Sequence, residues 1–309
     1  MKKKLNTTKQ KELADLNIVI PLSGSGTSFI NAGYTFPKPL IDINGKPMIQ
    51  LVIENLKPKC KHKFILIGKK EHFEKYSLNQ IFDNSTKGNY QVIPLSASTQ
   101  GAACTVLSAI DQINNELELI VANGDQIIEV DIEKFISFAR RSKKDGVILT
   151  FNSQHPRWSY ARTNKKGEVL ETAEKKVISN HATAGIYYFR QGKLFVEAAI
   201  SMISKDIRFN NDFYFCPVYN EMILLGQKVI IWEIKQSQMH GLGTPEDLNR
   251  YLSILDKGTF SANKHSLSTN KHSLSTNKHS LSTNKGTFSM NKPSFSANKH
   301  SFSMNRKNK

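Results

Sequence analysis

Short apolar runs alternate with stretches of helical spacing from residue 17 onward, and few architectures accept that rhythm. Runs at 17–22, 63–67, 90–94, 117–122 and 146–151 have the length and composition of buried strands. Between them, 47–56, 71–80, 101–113 and 132–141 carry apolar residues at helical intervals, the first opening with Pro47. Strands alternating with helices of this length predict a parallel sheet covered on both faces. The second half is less regular. Segments 159–163 and 168–171 flank a turn at 164–167 and predict a hairpin. A strand is expected at 182–189, a helix at 193–203, another helix within 215–225 and a last strand at 228–234. Thr244, Pro245, Glu246 and Asp247 form a helix start, with a capping hydroxyl, a first-turn proline and two carboxylates at the positive end of the dipole. The expectation is one α/β domain over 17–256, its sheet mixed but mainly parallel, with a small β-rich insertion and a polar lead at 1–16.

Composition breaks sharply at Lys257. Residues 257–309 contain no Asp or Glu, yet they hold ten of the chain's 43 basic residues. The net charge of +17 therefore falls to +7 once this segment is set aside. Seven heptapeptide units run from 257 to 305, each with a Phe or Leu at one position where a coiled-coil seam needs two such positions. Ser, Thr and Asn fill the remaining positions and favour non-helical backbone, so this segment is expected to be a disordered basic tail. Its histidines, among them His265 and His272, would have no fixed geometry in such a tail with which to hold a metal. No apolar run approaches the roughly 20 residues of a membrane span, and no apolar stretch follows the basic start as a signal peptide requires. Cys60, Cys104 and Cys216 are odd in number and far apart, which points to reduced thiols and a cytoplasmic protein. The mildly basic folded part lacks interleaved aromatic platforms, so nucleic acid is not an expected partner.

The chemistry gathers at the ends of the early strands. Gly24-Ser25-Gly26-Thr27 follows directly on the first strand, and glycines there let backbone N–H groups close around an anion. Pro37 and Pro39 bracket Lys38 and are expected to hold it on a stiff extended segment near that loop. No helix is expected at the second glycine, so the stretch does not fit a dinucleotide fingerprint. It also lacks the Gly-Lys-Ser/Thr closure of a Walker loop. Asp125 follows the strand at 117–122, at the carboxyl end where open α/β folds bind ligands.

The segment from Ile18 to Phe29, then Ala32 to Met48 with Phe36-Pro37-Lys38-Pro39-Leu40 at its centre, resembles the opening of the sugar-phosphate nucleotidyltransferases. The likeness continues, in that family's order, through Gln100-Gly101-Ala102-Ala103, Ala122-Asn123-Gly124-Asp125, Glu174-Lys175-Lys176 and Gly243-Thr244-Pro245. It spans about residues 17–255 and is nearest the branch of bacterial capsule and surface-polysaccharide loci, with CTP-dependent cytidylyltransferases the closest type. The resemblance implies a Rossmann-like sheet of the nucleotide-diphospho-sugar transferase type. It also implies transfer of a nucleoside monophosphate, from CTP or dTTP by preference, to a phosphorylated sugar or other small phospho-acceptor, with release of pyrophosphate. Leu22, Gly24, Ser25, Gly26, Thr27 and Ser28 would hold the nucleotide together with Gln100 and Gly101, the segment that meets the base. Lys38 would neutralise phosphates, Asp125 would bind Mg²⁺, and Lys175 would meet the acceptor's phosphate. Asn123, Trp158, Glu174 and Tyr214 would shape the acceptor's pocket. A homo-oligomer is left open.

Two positions depart from the pattern. Ser28 stands where relatives carry an arginine, and a hydroxyl supplies neither fixed charge nor a bidentate fork. Lys46 and Arg162 are the cations the sequence offers in its place. Gly241 stands where many relatives place a second metal-binding aspartate. These departures keep a second reading in view, a nucleotide-binding protein whose chemistry has lapsed. A glycosyltransferase of the same fold is the third, against which the sequence lacks Asp-x-Asp, with Ile127 two residues beyond Asp125.

Overall fold

The computed structural model describes residues 15–256. The polar lead, apart from its last two residues, and the heptapeptide segment lie outside the described residues, and the chain through Leu255 forms one compact unit. Strand Leu16–Pro21 sits centrally, paired in parallel with His62–Lys69 on one side and Glu118–Ala122 on the other. Tyr90–Leu95 extends the parallel half beyond His62–Lys69. The other half turns on His181–Phe189, which runs antiparallel to Glu118–Ala122 and to Gly146–Asn152. Val229–Ile234 then adds in parallel to Gly146–Asn152. The result is a nine-stranded mixed sheet with a parallel core.

Continuous apolar strands are what a sheet buried on both faces requires. In Leu16–Pro21, Ile18 and Ile20 enter one core cluster while Val19 enters the other, all at 0% exposure. Helix Met48–Leu56 covers the first face with Met48, Ile49, Val52, Ile53 and Leu56, the spacing of one helical stripe. Each such side chain contributes roughly 1.5–3 kcal/mol by leaving water. Ile132–Ser142 packs on the same face, its start capped by Asp131, whose side chain accepts from the Glu133 N–H at 3.0 Å. Gly192–Ser204 and Val218–Leu224 cover the opposite face. Among the described residues no helix is long and apolar enough to cross a membrane.

Several expectations are corrected in detail. The helix expected over 71–80 is two, Lys70–Lys75 and Leu78–Thr86, broken where Ser77 takes a left-handed φ of 49°. The helix expected over 101–113 is likewise two, Ala102–Leu107 and Ile110–Ile113. The hairpin Tyr160–Thr163 with Val169–Ala173 joins the main sheet through Ala182 and Tyr160. A two-stranded pairing of Gln126–Ile128 with Met239–Gly241 was not expected, because three-residue strands leave almost no periodicity to read.

Candidate active site

Strands Leu16–Pro21 and Glu118–Ala122 end side by side, and the loops that leave them diverge around a cavity of about 840 Å³. The Leu22–Thr27 loop forms one wall. Gly26 adopts a left-handed φ of 65° and starts a single-turn helix, Thr27–Asn31. The expectation that no helix begins at the second glycine is therefore corrected, although the turn ends within five residues. Ser25 and Thr27 hydroxyls meet at 2.7 Å on the exposed side of the loop.

Lys38 lies in a short 3-10 turn, Lys38–Leu40, and not in an extended segment, because Pro39 enforces a turn-compatible φ after the extended Pro37. That turn aims its ammonium into the cavity. Lys38 Nζ donates to Asp125 Oδ2 at 2.5 Å, with the two side chains 20% and 30% exposed. The Leu242 N–H donates to the Asp125 carbonyl at 2.7 Å and fixes the loop from behind. Asn123 hangs from the same loop, its N–H bonded to the Gly185 carbonyl at 2.9 Å. Gly185 sits at φ 66° within the register shift of His181–Phe189, and any side chain there would overlap the Asn123 and Gln126 amides. Gly185 is a site-shaping residue that the sequence reading missed, since a glycine in a strand signals only a bulge.

The opposite wall comes from the hairpin and from the loop before Val218–Leu224. Glu174 Oε2 accepts from Ser159 Oγ at 2.5 Å, and burial pushes the Glu174 carboxyl above its ordinary value despite that bond and the nearby Lys175. Lys175 takes a left-handed φ of 49°, a strained conformation that turns its side chain toward the aromatic rings. Its ammonium lies 3.3 Å from the Tyr214 hydroxyl and 5.0 Å and 5.6 Å from the Tyr214 and Phe209 ring centres. Trp158 completes this wall with the Arg157 guanidinium 4.2 Å over its ring. Arg157 also reaches Asp247 at 2.9 Å and 3.2 Å, tying the wall to helix 245–256, whose start is capped as the sequence predicts by Thr244.

Most of the residues singled out from sequence line this one cavity: Leu22 and the loop Gly24 to Ser28, Lys38, Gly101, Asn123, Asp125, Trp158, Glu174, Lys175 and Tyr214. Gln100 stands apart. It is exposed, and its Oε1 accepts from Arg208 Nη2 at 3.0 Å, outside the lining. Lys46 and Arg162 do not reach the cavity either. Lys46 pairs with Glu54 at 2.8 Å and Arg162 with Glu171 at 2.7 Å, both in exposed settings. Ser28 itself is exposed and donates to the Gly243 carbonyl at 3.5 Å. Around Gly241 stand Arg157, Trp158 and Asp247. Arg157 lines the cavity and was missed; its signal was the Pro156-Arg157-Trp158 step just past a buried strand.

Among the described residues no cluster of three or more His, Cys, Asp or Glu side chains is set to hold a metal. Asp125 lines the cavity together with the carboxylates of Glu174 and Asp212, and magnesium fits such a lining because it takes one or two carboxylates and completes its octahedron with phosphates and water.

The sequence profile described as Nucleotidyl transferase matches residues 18–214, and the chain belongs to that family. The Bifunctional protein GlmU of Methanococcus maripaludis is 26% identical over 176 residues, which are 56% of this chain and 39% of GlmU. The UTP–glucose-1-phosphate uridylyltransferase AglF of Haloferax volcanii is 23% identical over 183 residues, 56% of this chain and 72% of AglF. This chain thus spans about two-fifths of the length of the GlmU relative. The crystal structure of a nucleoside-diphosphate-sugar pyrophosphorylase from Vibrio cholerae superposes with a TM-score of 0.66 at 22% identity, covering 76% of this chain and 99% of that one. The mixed, mainly parallel sheet is the fold of these nucleotide-diphospho-sugar transferases.

Proposed function

We propose that this protein is a Mg²⁺-dependent nucleotidyltransferase that joins the nucleoside monophosphate of CTP or dTTP to a phosphorylated sugar or other small phospho-acceptor. The observation that carries this reading is a single cavity with an anion-cradling glycine loop on one wall, a lysine–aspartate pair at its centre and a lysine–tyrosine–carboxylate cluster opposite. An oxygen of the acceptor's phosphate attacks the α-phosphorus, the bond to the bridging oxygen breaks, and pyrophosphate leaves with the electron pair. Backbone N–H groups of Gly24 to Ser28 hold the triphosphate, with Leu22 and Gly101 on either side of the nucleoside. Lys38 balances charge that builds on the phosphoryl oxygens. Asp125 would hold the magnesium ion, which, when bound, withdraws charge from those same oxygens. Lys175 receives the acceptor's phosphate, while Asn123, Trp158, Glu174 and Tyr214 enclose its remainder. Positioning two anions in one cavity supplies much of the rate, since the step needs little covalent help from protein.

AglF's name places a sugar phosphate among the substrates of a relative, and we assign this chain to surface-polysaccharide precursor synthesis in the cytoplasm. The domain is proposed to span 17–256, with the basic repeats as an appendage. Ser28 favours one competing reading, a lapsed enzyme that binds nucleotide without turning it over. The test is pyrophosphate release with Mg²⁺ across the common triphosphates and a panel of phosphorylated acceptors. Asp125→Asn is expected to lose about 100-fold or more in turnover. Its melting point should move little, because the asparagine oxygen still accepts from Lys38 in this partly buried pair. Silence from the parent with turnover gained in Ser28→Arg would instead establish the lapsed enzyme.

A further inference from the structure

At the end of the cavity beside Leu22 and Gly101, three hydroxyls form a connected chain. Ser23 Oγ lies 3.0 Å from Thr105 Oγ1, which lies 2.6 Å from Thr99 Oγ1. Both threonine hydroxyls also reach the Gly101 carbonyl, Thr99 at 3.1 Å and Thr105 at 3.2 Å. Ser23, Thr99 and Thr105 all line the cavity, and Thr105 is only 1% exposed, so it faces its two neighbours. Gln100, the amide that a base would otherwise meet here, is held away by Arg208, whose guanidinium stacks 4.0 Å over Phe213. The hydroxyl chain is thus part of the side-chain polarity at this end of the cavity, where Ser98 and Asp212 also line the wall.

Counting protons fixes which polarity that is. A hydroxyl donates one hydrogen bond and accepts two, so three protons serve the four contacts. Two arrangements use all three without putting more than two donors, the Thr105 N–H included, on the Gly101 carbonyl. In one, Ser23 and Thr99 both donate to Thr105, which donates to the Gly101 carbonyl. In the other, Ser23 donates to Thr105, Thr105 to Thr99, and Thr99 to the carbonyl. The Gly101 oxygen also accepts the Thr105 N–H at 3.0 Å, so either arrangement fills its two lone pairs. In both, Ser23 spends its proton inward and turns lone pairs toward the cavity. Reversing the link, with Thr105 donating to Ser23, frees the serine proton for a ligand but leaves only two of the four contacts made.

We propose, resting on the reading that this cavity binds a nucleoside triphosphate, that Ser23 selects a base with an amino group on its pairing edge, so that CTP is preferred to UTP and dTTP. Cytosine carries an amino donor at C4, where uracil and thymine carry a carbonyl acceptor. The cytosine amino group donates to Ser23 Oγ with the hydroxyl chain intact. A 4-carbonyl must recruit the serine proton and forfeits one internal bond. One hydrogen bond of difference corresponds to a preference of roughly 3–10-fold.

The experiment is calorimetric binding of CTP, UTP and dTTP to the full chain with Mg²⁺, which needs no knowledge of the acceptor. The unaltered protein is expected to bind CTP roughly 3–10-fold more tightly than either 4-carbonyl nucleotide. Ser23→Ala should erase that ratio mainly by weakening CTP. Thr105→Val, which leaves Ser23 without its acceptor, should narrow the ratio by strengthening UTP. Equal affinities in the unaltered protein, a preference for UTP, or a ratio unchanged in Ser23→Ala would overturn the proposal while leaving the nucleotidyltransferase reading intact. Failure to bind any triphosphate would overturn both.

Discussion

Gly101 is the residue on which the two walls of the cavity are joined, and replacing it by alanine gives a worked prediction. Its backbone lies at φ 108° and ψ 175°, a region open to glycine and strained for every other residue by about 1–3 kcal/mol. A Cβ there would sit 2.5 Å from the Phe213 nitrogen and 2.6 Å from its oxygen. Those atoms are main chain, fixed by bonds of 2.9 Å to the Gln100 carbonyl and from the Ala103 N–H, so no side chain can swing aside. Overpacking of that kind costs about 1–3 kcal/mol. The two costs together come to about 2–6 kcal/mol, which in a domain of this size lowers the melting point by about 5–20 °C. Gly24→Ala is the matched control, because nothing lies within 4 Å of its added Cβ. Thermal melts of both variants give the answer. A Gly101→Ala protein that melts within about 2 °C of the parent would show that the close approach is not maintained in solution.

Glu174→Gln is expected to raise stability in a pH-dependent way. Burial raises the Glu174 pKa, so the folded chain keeps a proton that the unfolded chain releases, and stability falls as pH rises from the ordinary carboxylate value through the raised one. The variant should therefore melt like the parent near pH 4 and above it near pH 7.5, and an equal offset at both values would refute the burial argument. Asp247→Asn removes the carboxylate that holds Arg157 and meets the Thr244 hydroxyl. It should cost about 1–3 kcal/mol by urea unfolding and raise the acceptor's KM more than the nucleotide's, because Arg157 stacks on Trp158.

The sheet was legible because its strands are buried on both faces and read as unbroken apolar runs, as in the segment from Ile18 to Ile20. Helix boundaries were less legible. Ser77 breaks a helix by adopting φ 49°, a choice that serine does not advertise. The Gln126–Ile128 and Met239–Gly241 pairing is too short to show any period. The glycine-loop wall of the cavity was read from contiguous stretches such as Gly24 to Ser28, where backbone geometry follows directly from glycine placement. The facing wall depends on distant residues: Ser159 bonds Glu174 and Tyr214 meets Lys175, and no local pattern links those pairs.

Gln100 and the hydroxyl chain show the same limit from the other side. The family resemblance implies that Gln100 meets the base, yet its amide direction is set by Arg208, more than a hundred residues later. With that amide turned out, the proposed base contact falls to the chain of Ser23, Thr99 and Thr105, which are ordinary residue types on separate segments. Their meaning lies in proton count rather than identity. Three donors facing four contacts make Ser23 an acceptor, and a single Thr105→Val change would make the same serine free to donate. If the proposed selection by Ser23 holds, base preference is set by a residue that need not touch the base, because Thr105 decides which way the serine proton points.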